Sequence, residues 1–234
     1  MRRRKKKNSS YFILIGIFIV CLFYKDQIIG NTYSTNEFLT SYSRDDIPDY
    51  SGNDYVILNN NEPYFDDYTK EEFEIYGSLD SLDRCSYAYA NISKYTMPNE
   101  KRGSIGMVRP SGWQISKYDF IDGKYLYNRC HLIGYQLTGE NANERNLITC
   151  TRKMNTGIML DYENMVASYV KKKNNHVMYR VTPIFEEDNL VAKGVIMEGY
   201  SVEDFGVGIK FNIFVYNVQD GVIIDYSNGD NYPE

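Results

Sequence analysis

The stretch Tyr127-Asn-Arg-Cys-His-Leu-Ile-Gly-Tyr-Gln-Leu-Thr-Gly-Glu-Asn-Ala-Asn-Glu-Arg-Asn-Leu-Ile-Thr149 decides how the rest of this chain is read. Lys124 to Ile133 reads as a strand ending at His131, and residues 138–157, rich in Asn and Gly, read as a long loop with short pieces of structure. His131 and His176 are the two histidines of the chain. A lone His is more often structural than catalytic, but the neighbourhood of His131 favours chemistry, since a neutral imidazole can take a proton near pH 7. Arg129, two positions earlier, offers a two-pronged donor that matches phosphate. Asn141, Asn143, Asn146 and Asn155 all follow within 24 residues. An Asn oxygen is a neutral, hard ligand that can hold Mg²⁺ while most of the ion's waters stay in place. Strand alternation sets Cys130 on the face opposite His131, as a packed thiol rather than a metal ligand.

Downstream, Leu160 to Lys173 is helix-like, with Leu160, Val166, Tyr169 and Val170 on one face and Lys171, Lys172 and Lys173 suited to its C-terminus. Three β-like runs follow, Val177 to Phe185, Leu190 to Gly199 and Ile209 to Val218, then a short one from Val222 to Tyr226. Upstream, Tyr55 to Leu58 and Cys85 to Ile92 read as strands, and Thr69 to Glu72 has the spacing of a capping box, which predicts a short helix. Gly103 to Trp113 reads as irregular backbone. Strands, loop, one helix, strands is the order of an α+β body on a mainly antiparallel sheet.

The first thirty residues read differently. Six consecutive basic residues, Arg2 to Lys7, precede an apolar run from Tyr11 to Tyr24. This is the pattern of an export signal, either cleaved or retained as a membrane anchor with residues 1–7 inside; the flank Lys25-Asp-Gln27 favours the anchor. The expected division is 1–30 signal peptide or signal-anchor helix, 31–53 polar linker and 54–234 a single domain. Of the four cysteines only Cys85, Cys130 and Cys150 lie beyond the signal. Three cannot all pair, so the expectation is mostly free, buried thiols, with a single bridge left open. Without a C-x-x-C pair a structural zinc site is improbable. The net charge is −5, and residues 31–84 hold thirteen acids against three basic groups, which reads as a solvated surface segment, while the remainder is near neutral.

The run from Tyr127 to Thr149, followed by Met154 and Asn155, resembles the DNA/RNA non-specific endonuclease family of ββα-metal nucleases, in its streptodornase-like secreted or membrane-anchored branch. The family signature Asp-Arg-Gly-His stands here as Asn128-Arg129-Cys130-His131. The likeness spans about Tyr55 to Asp230 and is most specific over 127–165. It implies a ββα-metal core on the antiparallel sheet, flanked by helices. By position it implies His131 as general base, Asn155 as metal ligand, Asn146 as a residue supporting site and substrate, Glu163 as a ligand of the metal's water shell, and Arg129 as a phosphate contact. Asn128 in place of Asp loses any charge-based role there, and Cys130 in place of Gly needs room for a side chain. The implied reaction is Mg²⁺-dependent, sequence-non-specific hydrolysis of DNA, with RNA as a further substrate, Mn²⁺ as a substitute ion and 5′-phosphate products. The implied partners are nucleic acid and, through the N-terminal segment, a membrane; no protein partner is implied.

Two points follow from simple geometry. On one continuous helix, eight residues from Asn155 to Glu163 advance about 12 Å and leave the side chains about 80° from eclipsed. That suits a water-mediated contact from Glu163, or a bend at Gly157; the bland reading of Glu163 is an exposed helix carboxylate. Arg180, mid-strand, is a candidate substrate contact or one half of a surface ion pair. His176 reads as a surface or structural residue, the lysine run as a solvated helix end rather than a track for a DNA backbone, and Trp113 as core rather than a stacking platform. A competing reading is an exported DNA receptor without turnover. Two histidines are too few for a zinc-type phosphoesterase, and no Gly-x-Ser-x-Gly elbow supports a serine hydrolase.

Overall fold

The computed structural model describes residues 47–234. The expected signal segment and linker residues 31–46 lie outside them. In chain order the strands are β1 (Tyr55–Ile57), β2 (Glu74–Tyr76), β3 (Ala88–Ile92), β4 (Tyr127–His131), β5 (Leu147–Thr151), β6 (Val177–Ile184), β7 (Gly194–Ser201), β8 (Lys210–Tyr216), β9 (Val222–Ile224) and β10 (Asn231–Pro233). The helices are α1 (Tyr135–Thr138), α2 (Arg152–Thr156) and α3 (Ile158–Lys173). Six strands form one sheet in the order β1-β8-β7-β6-β3-β2, every neighbour antiparallel, while β4 and β5 form a separate two-stranded ribbon.

Strand alternation divides the large sheet into two unlike faces. The cross-strand rows Tyr179–Gly199–Phe211 and Val181–Met197–Ile213 belong to the main core. The intervening row Arg180–Glu198–Asn212 points the other way, beneath the segment that contains Glu62 and Tyr64. Helix α3 packs on the first face through Met159, Val166, Ala167, Tyr169 and Val170, all buried. Full burial of each large apolar side chain stabilises by about 1.5–3 kcal/mol, so docking of this face, more than intrinsic propensity, holds a helix that contains two β-branched valines. Asn174, left-handed at φ 57°, ends it by donating its N–H to the Val170 carbonyl, after three lysines that suit the negative end of the helix.

The ribbon of β4 and β5 packs its inner side into the same core through Cys130, Ile148 and Cys150. Together with α2 and α3 it makes a strand–strand–helix unit, and the α+β, mainly antiparallel expectation holds.

Four local expectations are corrected. Residues 138–157 are not mainly loop: they contain a 3-10 turn at Glu144–Asn146, all of β5 and all of α2. The run Leu147-Ile-Thr-Cys-Thr151 is fully buried, without alternation to mark it as a strand. Thr69 does not start a helix; its hydroxyl takes the Glu71 N–H in a local turn and the chain goes on to β2. Cys130 and Cys150 are joined in a disulfide, their Cα atoms 5.9 Å apart, and only Cys85 is a free thiol among the described residues. Lastly, the end of the expected linker packs on the body: Ile47 is buried, and the Tyr216 hydroxyl donates to the Pro48 carbonyl.

Among the described residues no helix is long and apolar enough to cross a membrane.

Candidate active site

Strand β4 ends at the mouth of a cleft of about 450 Å³, and His131 is its last residue. The imidazole is 7% exposed and its Nε2 lies 2.7 Å from the backbone oxygen of Asn141. A carbonyl only accepts, so in the neutral ring Nε2 carries the hydrogen and Nδ1 keeps the lone pair. Burial pushes the His131 pKa down to about 4; the Asn141 contact works against that and the positive Arg102 adds to it. The ring is therefore neutral at ordinary pH.

A second wall comes from the end of β5. Thr151 caps α2 by accepting the Met154 N–H, and its own N–H is held by Asn217. This fixes the start of α2, and Asn155, one helical turn on, opens half-buried on the cleft. The helix then breaks. Gly157 has φ −98° and ψ −116°, and a Cβ there would fall 2.6 Å from the Lys153 carbonyl. The sequence had left open a bend here, and it is present: α3 starts anew at Ile158 and brings Glu163 into the same cleft as Asn155 and His131.

Glu163 is buried, not the exposed helix carboxylate of the bland reading. Burial raises its pKa to about 7, while hydrogen bonds from Gln136 and the Gly134 backbone, and the charge of Arg102, pull it down. Gly134 allows this approach, since a Cβ there would lie 2.2 Å from Glu163 Oε2.

The remaining sequence candidates have other positions. Asn146 is fully buried and does not line the cleft: its Oδ1 takes the Ile133 N–H and its Nδ2 donates to the Ile133 carbonyl, at 2.9 and 3.0 Å. It clamps the chain just after His131, so its place is that of a support. Arg129 does line the cleft, with its guanidinium 3.9 Å above the Trp113 ring and donating to the carbonyls of Val108 and Gly106. Arg180 is away from the cleft, on the opposite face of the sheet, in a buried 2.7 Å ion pair with Glu198; as a substrate contact it is withdrawn. His176 is half-buried and its Nδ1 pairs with Glu203 at 2.6 Å.

Arg102, Arg152, Gln136 and Gly134 also line the cleft and were missed. Arg152 had a signal, three positions before Asn155 and so on the same helix face. Arg102 had none, because the loop carrying it comes to the site only through tertiary packing.

The donor set fits a hard cation. Among the described residues no group of three His, Cys, Asp or Glu could cage a metal. One amide oxygen and one buried carboxylate suit an ion that keeps most of its water, as Mg²⁺ does. A carboxylate destabilised by burial also gains from a nearby cation. Arginines on the walls suit a polyanion, and the cleft also holds a neutral imidazole, an arrangement that defines the class as a nucleic-acid-hydrolysing enzyme.

The family follows from comparison. The model of the DNA/RNA non-specific endonuclease family matches residues 65–203, and the chain belongs to that family. Its fold is similar to that of NucA from Streptococcus agalactiae with magnesium bound, at TM-score 0.68 and 24% identity over 76% of this chain and 86% of that one. The Sda1 nuclease with bound zinc is similar at TM-score 0.59 and 27% identity, covering 69% and 81%. An extracellular endonuclease matches at TM-score 0.58 and 20% identity, covering 80% and 100%.

Proposed function

We propose that this chain is a Mg²⁺-dependent, sequence-non-specific endonuclease that cuts DNA, and RNA as well, with His131 as general base and 5′-phosphate ends as product. The observation that supports this most is the convergence of His131, Asn155 and Glu163 on one arginine-walled cleft. His131 Nδ1 takes the proton of the attacking water, and the Asn141 carbonyl keeps Nε2–H in place and stabilises the imidazolium that forms. Asn155 and, through water, Glu163 would hold the cation. When bound, that cation supplies charge neutralisation at the phosphate and at the 3′ leaving oxygen. Arg102, Arg129 and Arg152 attract the backbone and add fixed positive charge beside the scissile group. Asn146 holds the turn after β4 so that His131 and Glu163 keep their separation. Contacts of this kind read phosphate and sugar, which makes the enzyme indifferent to sequence.

Export is part of the proposal. A buried disulfide suits an oxidising compartment, and the signal-like first thirty residues suit a secreted or surface-anchored protein. The neighbour described as extracellular is in keeping with this.

The test uses the full chain on plasmid, on linear single-stranded DNA and on RNA, in Mg²⁺ or EDTA, beside His131→Ala. Cutting in Mg²⁺, none in EDTA, and a loss of about a thousandfold in the variant are expected. Full activity in His131→Ala removes the ring from the mechanism, and binding without cutting favours a receptor.

A further inference from the structure

Beside the catalytic cleft is a second cavity, of about 540 Å³, and the two share walls: Arg102, Arg129, Arg152 and Asn155 line both. They are one continuous groove with two chemically different ends. The far end carries Trp113, Tyr125 and Ile115 together with the polar side chains of Gln114 and Asn128, and Tyr127 there is buried. Tyr125 is 48% exposed and Ile115 72% exposed, so both present apolar surface to solvent at this end of the groove. Tyr127, Arg129 and His131 alternate along β4, and Tyr125 precedes them across a bend at the buried Leu126. Across a bridge from Tyr125 is Lys117, whose ammonium is 4.6 Å from the Tyr125 ring.

We propose that this second cavity is a nucleobase subsite, which takes an unpaired base of a strand whose phosphate lies at His131. The inference rests on the nuclease reading and adds a substrate preference to it. Phosphates need the arginines of the shared wall, and a base needs the rings beyond it. In a duplex the faces of the bases are stacked on one another and cannot reach such a wall, whereas a single strand or a locally opened one presents them freely. Every base has a π-face, so the subsite discriminates strand state and not sequence. Lys117 places a further positive charge at the aromatic end, where the strand continues.

Trp113, the one tryptophan of the chain, is in this cavity, so its emission reports occupancy without turnover. The experiment titrates the full chain in EDTA with a six-nucleotide oligothymidylate and with an abasic deoxyribose-phosphate chain of the same length. The expected result is binding of the thymidylate about tenfold tighter, with a change in Trp113 emission that the abasic chain does not produce. In Tyr125→Ala and in Ile115→Ala the ratio of the two affinities falls toward one, and in Tyr125→Phe it is retained. Equal affinity of the unaltered protein for both chains overturns the proposal, as does a ratio that survives Tyr125→Ala and Ile115→Ala. A parallel plasmid digestion in Mg²⁺ separates the two readings. No cutting there refutes the nuclease, whereas cutting together with equal affinities refutes only the subsite.

Discussion

His131 and Glu163 show how burial sets protonation in opposite directions. Both lose solvation, which drives the imidazole down to about 4 and the carboxyl up to about 7. As the proposed base, a ring that is neutral throughout the working range adds no acid limb above about pH 5. Glu163 does: below its raised pKa it is protonated and neutral, above it the charge needed near a cation is present. The half-saturating Mg²⁺ concentration should therefore rise about tenfold for each unit of pH below 7, measured as activity against Mg²⁺ at pH 5.5, 6.5 and 7.5. A Mg²⁺ requirement that does not vary with pH would take Glu163 out of the ion's surroundings. At this scale the sequence was informative about residue types and their spacing, because His131, Asn155 and Glu163 are separated by short stretches of chain. It could not distinguish a buried Glu163 from an exposed one, since burial depends on Gly134 and α1 closing over it.

The connections between elements position the site more than the elements do. At Gly134 the chain passes so close to Glu163 that a methyl group would displace the carboxylate, the free end of a flexible side chain. Gly134→Ala is expected to raise the half-saturating Mg²⁺ at least about tenfold while the melting temperature moves by only a few degrees, read by activity titration and thermal denaturation. Arg180 gives the converse case. Its ion pair with Glu198 is buried under the 62–64 segment, so Arg180→Ala leaves a buried carboxylate without its partner and should cost about 3–5 kcal/mol. Urea unfolding should show that loss, and kcat below the unfolding range should be unaltered; a selective loss of activity would return Arg180 to the cleft. The strands β6 to β8 and the helix α3 were legible from periodicity. Strand β5 was not, because a run buried on both sides has no alternation, and Asn-rich flanks made it look like loop.

Across the whole molecule the disulfide joins β4 and β5, its cysteines twenty positions apart in sequence. In a chain-entropy account it is worth about 3 kcal/mol, so the paired Cys130→Ala, Cys150→Ala variant should melt several degrees lower, by calorimetry. Because both positions face the core and not the cleft, its activity at low temperature should persist; unaltered melting would mean the bridge does not form. By itself the sequence determined the sheet-plus-helix class, the end of β4 at His131, the bend at Gly157 as one of two outcomes, and the family. Those features depend on local periodicity, on glycine's freedom and on a motif contiguous in the chain. Only the tertiary structure decided the pairing of Cys130 with Cys150, the withdrawal of Arg180 to the far face, the arrival of Arg102 and the aromatic end of the groove. Each of these depends on which side of a strand meets which neighbour, and that is settled when the faces of the sheet, ribbon and helix are buried against one another.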